Sequence, residues 1–169
     1  MLYPRIKDEL TAMFQIDQEM RHRNLKEPDY WDSTIDRKHT ARIKELVAQI
    51  GWPTVSKVGS EGSHAAWLLV QHADHDVDFQ KECLTLMKSA PEGEVERRDV
   101  AYLEDRVRVN SNQLQLYGTQ FIEVNGTFVP RGIECLEKVD ERRLSMGLGT
   151  LQKGIEQMRE TYRAKPSSP

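Results

Sequence analysis

The chain has 169 residues, of which 38% are hydrophobic and 30% charged, and carries a formal net charge of -3. That length suits one ordinary domain with one core, and the slightly acidic balance offers no clustered Lys and Arg to displace counterions from a polyanion, which argues against a nucleic-acid partner. The opening MLYPRIKDEL lacks the apolar stretch of a secretory signal, and the longest apolar run, Ala65 to Val70, falls far short of the roughly 18 residues that span a membrane.

In chain order, Arg5 to about Asn24 places Ile6, Leu10, Met13, Phe14 and Met20 at three-to-four spacing, the stripe of an amphipathic helix, with Pro4 suited to its first turn. A second helix is predicted from about Ser33 to Ile50, striped by Ile35, Ile43, Leu46, Val47 and Ile50 and stopped by Gly51 with Trp52-Pro53 behind it. Ser60 or Ser63 can cap a third, whose run AAWLLV is apolar on every face and marks a helix surrounded by protein. This is the expected central helix, Ser63 to His75. Its pattern continues through Phe79, Cys83, Leu84, Leu86 and Met87, with a bend near Asp76, until Pro91-Glu92-Gly93. A further helical stretch is expected from about Glu94 to Val109.

The texture then changes. Leu114 to Val124 alternates and is rich in β-branched and aromatic residues, and Asn125-Gly126 is the strongest short hairpin signal, so one β-hairpin is predicted over about 114–130. Helix returns from Val139 to about Ala164, interrupted at Gly147-Leu148-Gly149 and recapped by Thr150. The predicted architecture is mainly α: a single domain over residues 1–164, built around a central buried helix with one hairpin, and a disordered tail at residues 165–169. Cys83 and Cys135, far apart and without a CxxC partner, read as two buried thiols of a cytoplasmic protein.

Several polar residues stand where a core stripe should continue. Asp17 lies seven residues after Leu10 and four after Met13, with Arg21 four further along. A buried carboxylate needs a partner, which an internal Asp17–Arg21 ion pair or a functional site wall would supply equally well. Asp36 and His39 repeat the pattern before Ile43, where an exposed first turn suffices as explanation. His64, Leu68, Gln71, His72 and His75 fall on one side of the third helix. His72 and His75 are spaced to meet one metal, with Asp74, Asp76 and Asp78 nearby, but HxxH without a glutamate or a distant third ligand is a common coincidence. The preferred reading is therefore histidine acid/base chemistry without a cofactor, the metal remaining an alternative. Asp105 and Arg106 form either a structural clip or an imidazole-orienting carboxylate beside an anion clamp. Gln115, Tyr117 and Thr119, on one side of the predicted strand, and the adjacent Gln120 form a dense set of neutral donors and acceptors.

The wording of GWPT at Gly51 to Thr54, WLLVQHADHD at Trp67 to Asp76, AYLEDRV at Ala101 to Val107 and QLYGTQF at Gln115 to Phe121 resembles a bacterial family of unknown function, DUF6624. The resemblance runs from IDQEMR at Ile16 to Arg21 through VDERRLSMGL at Val139 to Leu148. It implies that Asp17, Gln18, Arg21, Gln71, His72, Asp105, Arg106, Gln115, Tyr117, Thr119 and Gln120 occupy motif positions, whereas His64 falls outside the pattern. It implies no activity or cofactor.

The functional expectation is a small-molecule enzyme, a hydrolase or lyase. His72 would act as acid or base with Asp105 or Asp17 orienting it, Arg106 would clamp an anion, and Gln71, Gln115, Tyr117, Thr119 and Gln120 would position the substrate. The alternatives are a non-catalytic ligand- or partner-binding protein of the sensor, immunity or accessory kind, and a metal-dependent hydrolase using His72 and His75. Packing of the central helix against the hairpin and the preceding helix is expected to bring His72, Asp105, Arg106, Gln115, Tyr117 and Gln120 to one concave site. A third outcome, an internal polar network with no site, follows if the same groups satisfy one another.

Overall fold

Helix α1 (Pro4–Lys26) starts where proline's fixed φ suits a first turn and buries Leu10, Met13, Asp17 and Met20, the stripe read from the sequence with the carboxylate included. It belongs to a computed structural model that describes residues 1–27 and 30–163. The chain is mainly helical with one two-stranded antiparallel sheet, and it falls into two compact units, Met1–Asp99 and Val100–Pro169.

In the first unit α1 packs chiefly against α3 (Val55–Gln71), and α2 (Ser33–Ile50) packs on both. Asp32 caps α2 by accepting from Thr34 N at 2.9 Å. Gly51 ends it at φ 69, a left-handed conformation that favours glycine, with its N–H donated to Val47 O. Helix α3 is two segments joined at Gly59 (φ 75), so the start read from the sequence at Ser60 or Ser63 falls after the kink, while the first segment begins at Val55. The apolar run is buried almost all round: Ala65, Ala66, Trp67, Leu69 and Val70 are each under one-tenth exposed. This is the central helix of its unit.

The predicted extension to His75 does not occur. Helix α3 stops at Gln71 with His72 as its C-cap, and Asp76 caps a separate α4 (Val77–Ser89) by accepting from Phe79 N at 3.1 Å. An aspartate that turns its side chain to the next helix's free N–H groups competes with helix continuation, so the break expected as a bend is complete. His72 and His75 therefore share no helical face. The buried Gln80 of α4 reaches back to the C-terminal end of α3, donating from Nε2 to Val70 O at 3.1 Å and Gln71 O at 3.3 Å.

In the second unit the buried face of α5 (Arg97–Asn110) is Val100, Ala101, Leu103, Asp105 and Val107. Strands β1 (Phe121–Val124) and β2 (Thr127–Pro130) pair from Phe121 opposite Pro130 to Val124 opposite Thr127. Asn125 (φ 50) and Gly126 (φ 73) turn the hairpin with both residues left-handed, as the sequence predicts. The first strand is shorter than the alternation suggests. Residues 115–120 form an irregular loop with one isolated parallel bridge, Gln115 to Ile133, because the loop's N–H groups are drawn to the Asp105 carboxylate rather than to a neighbouring strand. A short 3-10 turn (Leu136–Lys138) leads into α6 (Val139–Ser145), and α7 (Leu151–Arg163) packs on β2. Thr150 Oγ1 accepts from Lys153 N at 3.3 Å, capping α7 as expected.

Cys83 is buried, and burial pushes its thiol well above the usual range, which suppresses the nucleophilic thiolate. Cys135 is exposed rather than buried: it sits left-handed (φ 47) at the start of the 3-10 turn. No helix among the described residues is long and apolar enough to cross a membrane. The tail read from Lys165 lies outside the described residues.

Candidate functional site

The first unit contains a buried charge cluster assembled by three helices. Asp17 of α1 is fully buried, and its Oδ1 lies 2.8 Å from His72 Nδ1 at the end of α3. Arg21, one turn further along α1, directs Nε at both Asp17 oxygens at 3.2 Å and donates from Nη2 to Asp36 of α2 at 2.9 Å. Gln18 Nε2 donates to Asp17 Oδ2 at 2.9 Å. The Trp31 ring lies 4.9 Å from the Arg21 guanidinium, within cation–π range. The i, i+4 ion pair expected for Asp17 exists, and the same carboxylate also meets an imidazole brought from 55 positions away.

The protonation states follow from this geometry. Burial raises the Asp17 carboxyl, but the hydrogen bond and charge of His72, the charge of Arg21 and the Gln18 amide outweigh it and hold the group at about 2. An ionised carboxylate only accepts, so the 2.8 Å contact requires the proton on His72 Nδ1 and leaves Nε2 as the basic nitrogen. Arg21 Nε is also placed to donate to the same Nδ1 at 3.0 Å, a bond that a protonated Nδ1 excludes, so the single Nε hydrogen goes to Asp17 at 3.2 Å. The His72 side chain keeps 17% exposure, and its Nε2 has no hydrogen-bond partner among the described residues. An imidazole fixed in one tautomer by a buried carboxylate, with its second nitrogen available, has the geometry of a general acid or base.

The other sequence-predicted histidines go elsewhere. His64 Nδ1 pairs with the buried Asp99 at 3.0 Å, its ring 4.9 Å from that of Trp67 and 6.1 Å from that of Phe14. His75 is exposed in the turn before α4. Asp76 pairs with Lys44 and Asp78 with Lys81. No group of three or more His, Cys, Asp or Glu side chains among the described residues is arranged to hold a metal ion. Gln71 is buried, and its Oε1 has no partner among the described residues.

A second network occupies the second unit. The fully buried Asp105 accepts from Leu116 N at 2.7 Å, Tyr117 N at 3.0 Å, Thr119 N at 2.9 Å and Thr119 Oγ1 at 2.9 Å. Burial pushes its carboxyl upward against the pull of those N–H donors. Gln115, also fully buried, donates from Nε2 to Gln120 O and Arg131 O and accepts Gln120 N at Oε1. Gln120 donates to Thr119 Oγ1 and accepts from Arg106 Nη1 at 2.9 Å. The loop's carbonyls are met as well: Leu116 O by Arg142 Nε and Tyr117 O by the buried Arg143. The Tyr117 hydroxyl sits 3.4 Å from Glu104; burial first, then the charges of Glu104 and Asp105, raise it to about 12. Gly118 (φ 68) leaves no room for a side chain, since a Cβ there would stand 2.6 Å from Leu151 Cδ1 and 2.9 Å from Ile133 Cδ1. Asp105, Gln115 and Thr119 thus spend their hydrogen bonds on one irregular loop, as architecture does.

The family's sequence profile matches residues 4–166, a span that contains both networks. The chain belongs to DUF6624, a family of unknown function. No curated protein and no solved structure matches it. Membership in DUF6624 assigns no chemistry to either network.

Sequence reasoning passed over two groups of the first cluster. Asp36 and His39 were explained as an exposed first turn, but Asp36 bonds Arg21 and His39 is only 9% exposed. Their i, i+3 spacing to each other and i+7, i+4 spacing to Ile43 was the available signal.

Proposed function

We propose that this DUF6624 protein is an acid/base enzyme for a small molecule, of the hydrolase or lyase kind, with His72 Nε2 as the general base. The observation that carries the reading is the 2.8 Å bond between His72 Nδ1 and a carboxylate that is fully buried and held ionised. Asp17 is the positioning residue: it selects the tautomer, orients the ring and stabilises the imidazolium formed after proton transfer. Arg21 and Gln18 hold Asp17 in turn. Neither Asp105 nor an arginine anion clamp is needed, since Asp105 serves the 116–119 loop, Arg106 donates to Gln120, and Arg21 is shared by Asp17 and Asp36.

The test is turnover across panels of ester, amide, glycoside and β-elimination substrates, comparing the wild type with His72→Gln and Asp17→Asn. Activity should vanish in the first and fall by about 10²–10⁴-fold in the second, the range that a positioned acid or base supplies. Wild-type turnover in folded His72→Gln would end the reading.

A further inference from the structure

Of the chain's three tryptophans, Trp52 and Trp67 are core residues, whereas Trp31, in the segment leading into α2, is 48% exposed. A single exposed apolar residue is ordinary, but this one lies against the charge cluster. The Arg21 guanidinium is 4.9 Å from the Trp31 ring centroid, and Nε of the same guanidinium stands 3.0 Å from His72 Nδ1. Trp31, Arg21 and His72 therefore follow one another in contact, and all three reach solvent, the Arg21 and His72 side chains at 25% and 17% exposure. Arg21 also keeps unused donors. Nε is directed at Asp17 and Nη2 at Asp36, while the two hydrogens of Nη1 have no partner among the described residues. A guanidinium is a flat fork, so with its other nitrogens turned to carboxylates and one face against the indole, Nη1 is the part left for a ligand. That atom and His72 Nε2 are separated by no more than the 3.0 Å contact and the widths of the two groups that make it, a span a small molecule covers. The guanidinium is already matched by two carboxylates, so Nη1 offers a directed hydrogen bond in surroundings whose excess negative charge disfavours an anion. It only donates, and a carbonyl oxygen, which only accepts, is its natural partner.

We infer that Trp31 and Arg21 form the ligand-recognition surface beside His72. The indole packs against a ring or other apolar body, Arg21 Nη1 donates to a carbonyl oxygen, and the site takes uncharged carbonyl compounds, esters or amides, rather than free acids. This names the substrate class for the site proposed above and rests on that reading only for the role of His72. In such a complex the carbonyl is fixed at Arg21 while His72 Nε2 exchanges a proton at the same ligand.

The test uses three probes on the full chain: benzamide, its charged counterpart benzoate, and acetamide, which has the carbonyl without the ring. Proton–nitrogen NMR follows the Trp31 indole and Arg21 guanidinium signals, the former assigned by its loss in Trp31→Phe. Benzamide should shift both signals saturably, with benzoate and acetamide at least about tenfold weaker. Trp31→Ala should weaken benzamide binding by about tenfold or more, whereas Trp31→Phe, which keeps a ring, should stay within about threefold of wild type. The indole takes no part in the Asp17–His72 bond, so the His72 Nδ1 proton resonance should hold its place in Trp31→Ala. Its displacement would make Trp31 a support of the cluster and overturn the inference. Should Trp31→Ala not fold, the wild-type titration alone decides. Signals unmoved by benzamide up to its solubility limit, an equal or stronger response to benzoate or acetamide, or unchanged benzamide binding in folded Trp31→Ala likewise overturns it. Benzamide binding that persists in an otherwise inactive protein sinks only the acid/base reading and leaves this one standing.

Discussion

His72 Nδ1 stands 2.8 Å from Asp17 Oδ1, and this bond joins the C-cap of α3 to the middle of α1. Asp17 would be an intolerable core residue by itself. It is tolerated because His72, Arg21 and Gln18 direct donors at it, and because those donors also set its charge. Replacing Asp17 by Asn puts an amide N–H₂ or a weaker acceptor in front of a buried imidazole N–H and a guanidinium. The expected cost is about 3 kcal/mol in urea unfolding, with the His72 tautomer no longer fixed. A loss under about 1 kcal/mol would mean the carboxylate is not the hub of the cluster.

The same carboxylate predicts an acid limb. Its folded value of about 2 lies below the ordinary carboxyl value of 3.8, so the unfolded chain binds the proton more readily. The stabilisation is complete above the unfolded value and disappears as pH falls through about 2; it should be on the order of 2 kcal/mol. Stability measured from pH 6 to 2 should therefore fall less steeply in Asp17→Asn than in the wild type.

His39 predicts a second slope of the same sign at higher pH. Its folded value is lowered, so between that value and the ordinary 6.5 the unfolded chain again holds more protons, and stability rises with pH through this window. In His39→Leu this slope should be missing from a thermal-denaturation series between pH 5 and 8. An identical slope in the variant would assign it to another group.

In the second unit the weight falls on backbone groups rather than on the tyrosine hydroxyl. Asp105→Asn turns an amide toward N–H groups that need an acceptor and should cost about 3 kcal/mol. Tyr117→Phe gives up only a 3.4 Å contact to Glu104 and should change stability by less than about 1 kcal/mol. Chemical denaturation of the two variants side by side reads the contrast, and its reversal would show that the loop is held by the Tyr117 ring and hydroxyl instead.

Gly118→Ala should be poorly tolerated. The position is left-handed, and the added Cβ meets Leu151 and Ile133 well inside contact distance, for an expected loss of about 2–4 kcal/mol. A melting temperature within a degree or two of wild type would show that α7 can move aside.

The sequence by itself determined what depends on neighbours along the chain. The stripes of α1 and α2, the stop at Gly51, the all-round apolar run of α3 and the Asn125-Gly126 turn are each set by local periodicity or local φ preference, and all were legible. Asp17 was legible as a misfit for the same reason. Tertiary structure decided which group answers each misfit, because hydrogen-bond partners are chosen by packing and not by sequence separation. It gave Asp17 to His72, drew Asp36 and His39 out of an apparently exposed first turn, and parted His72 from His75 once Asp76 capped its own helix. It also bent a β-like alternation at Gln115 to Gln120 into a loop, since a buried carboxylate on α5 offers those N–H groups a stronger acceptor than a strand's carbonyls would.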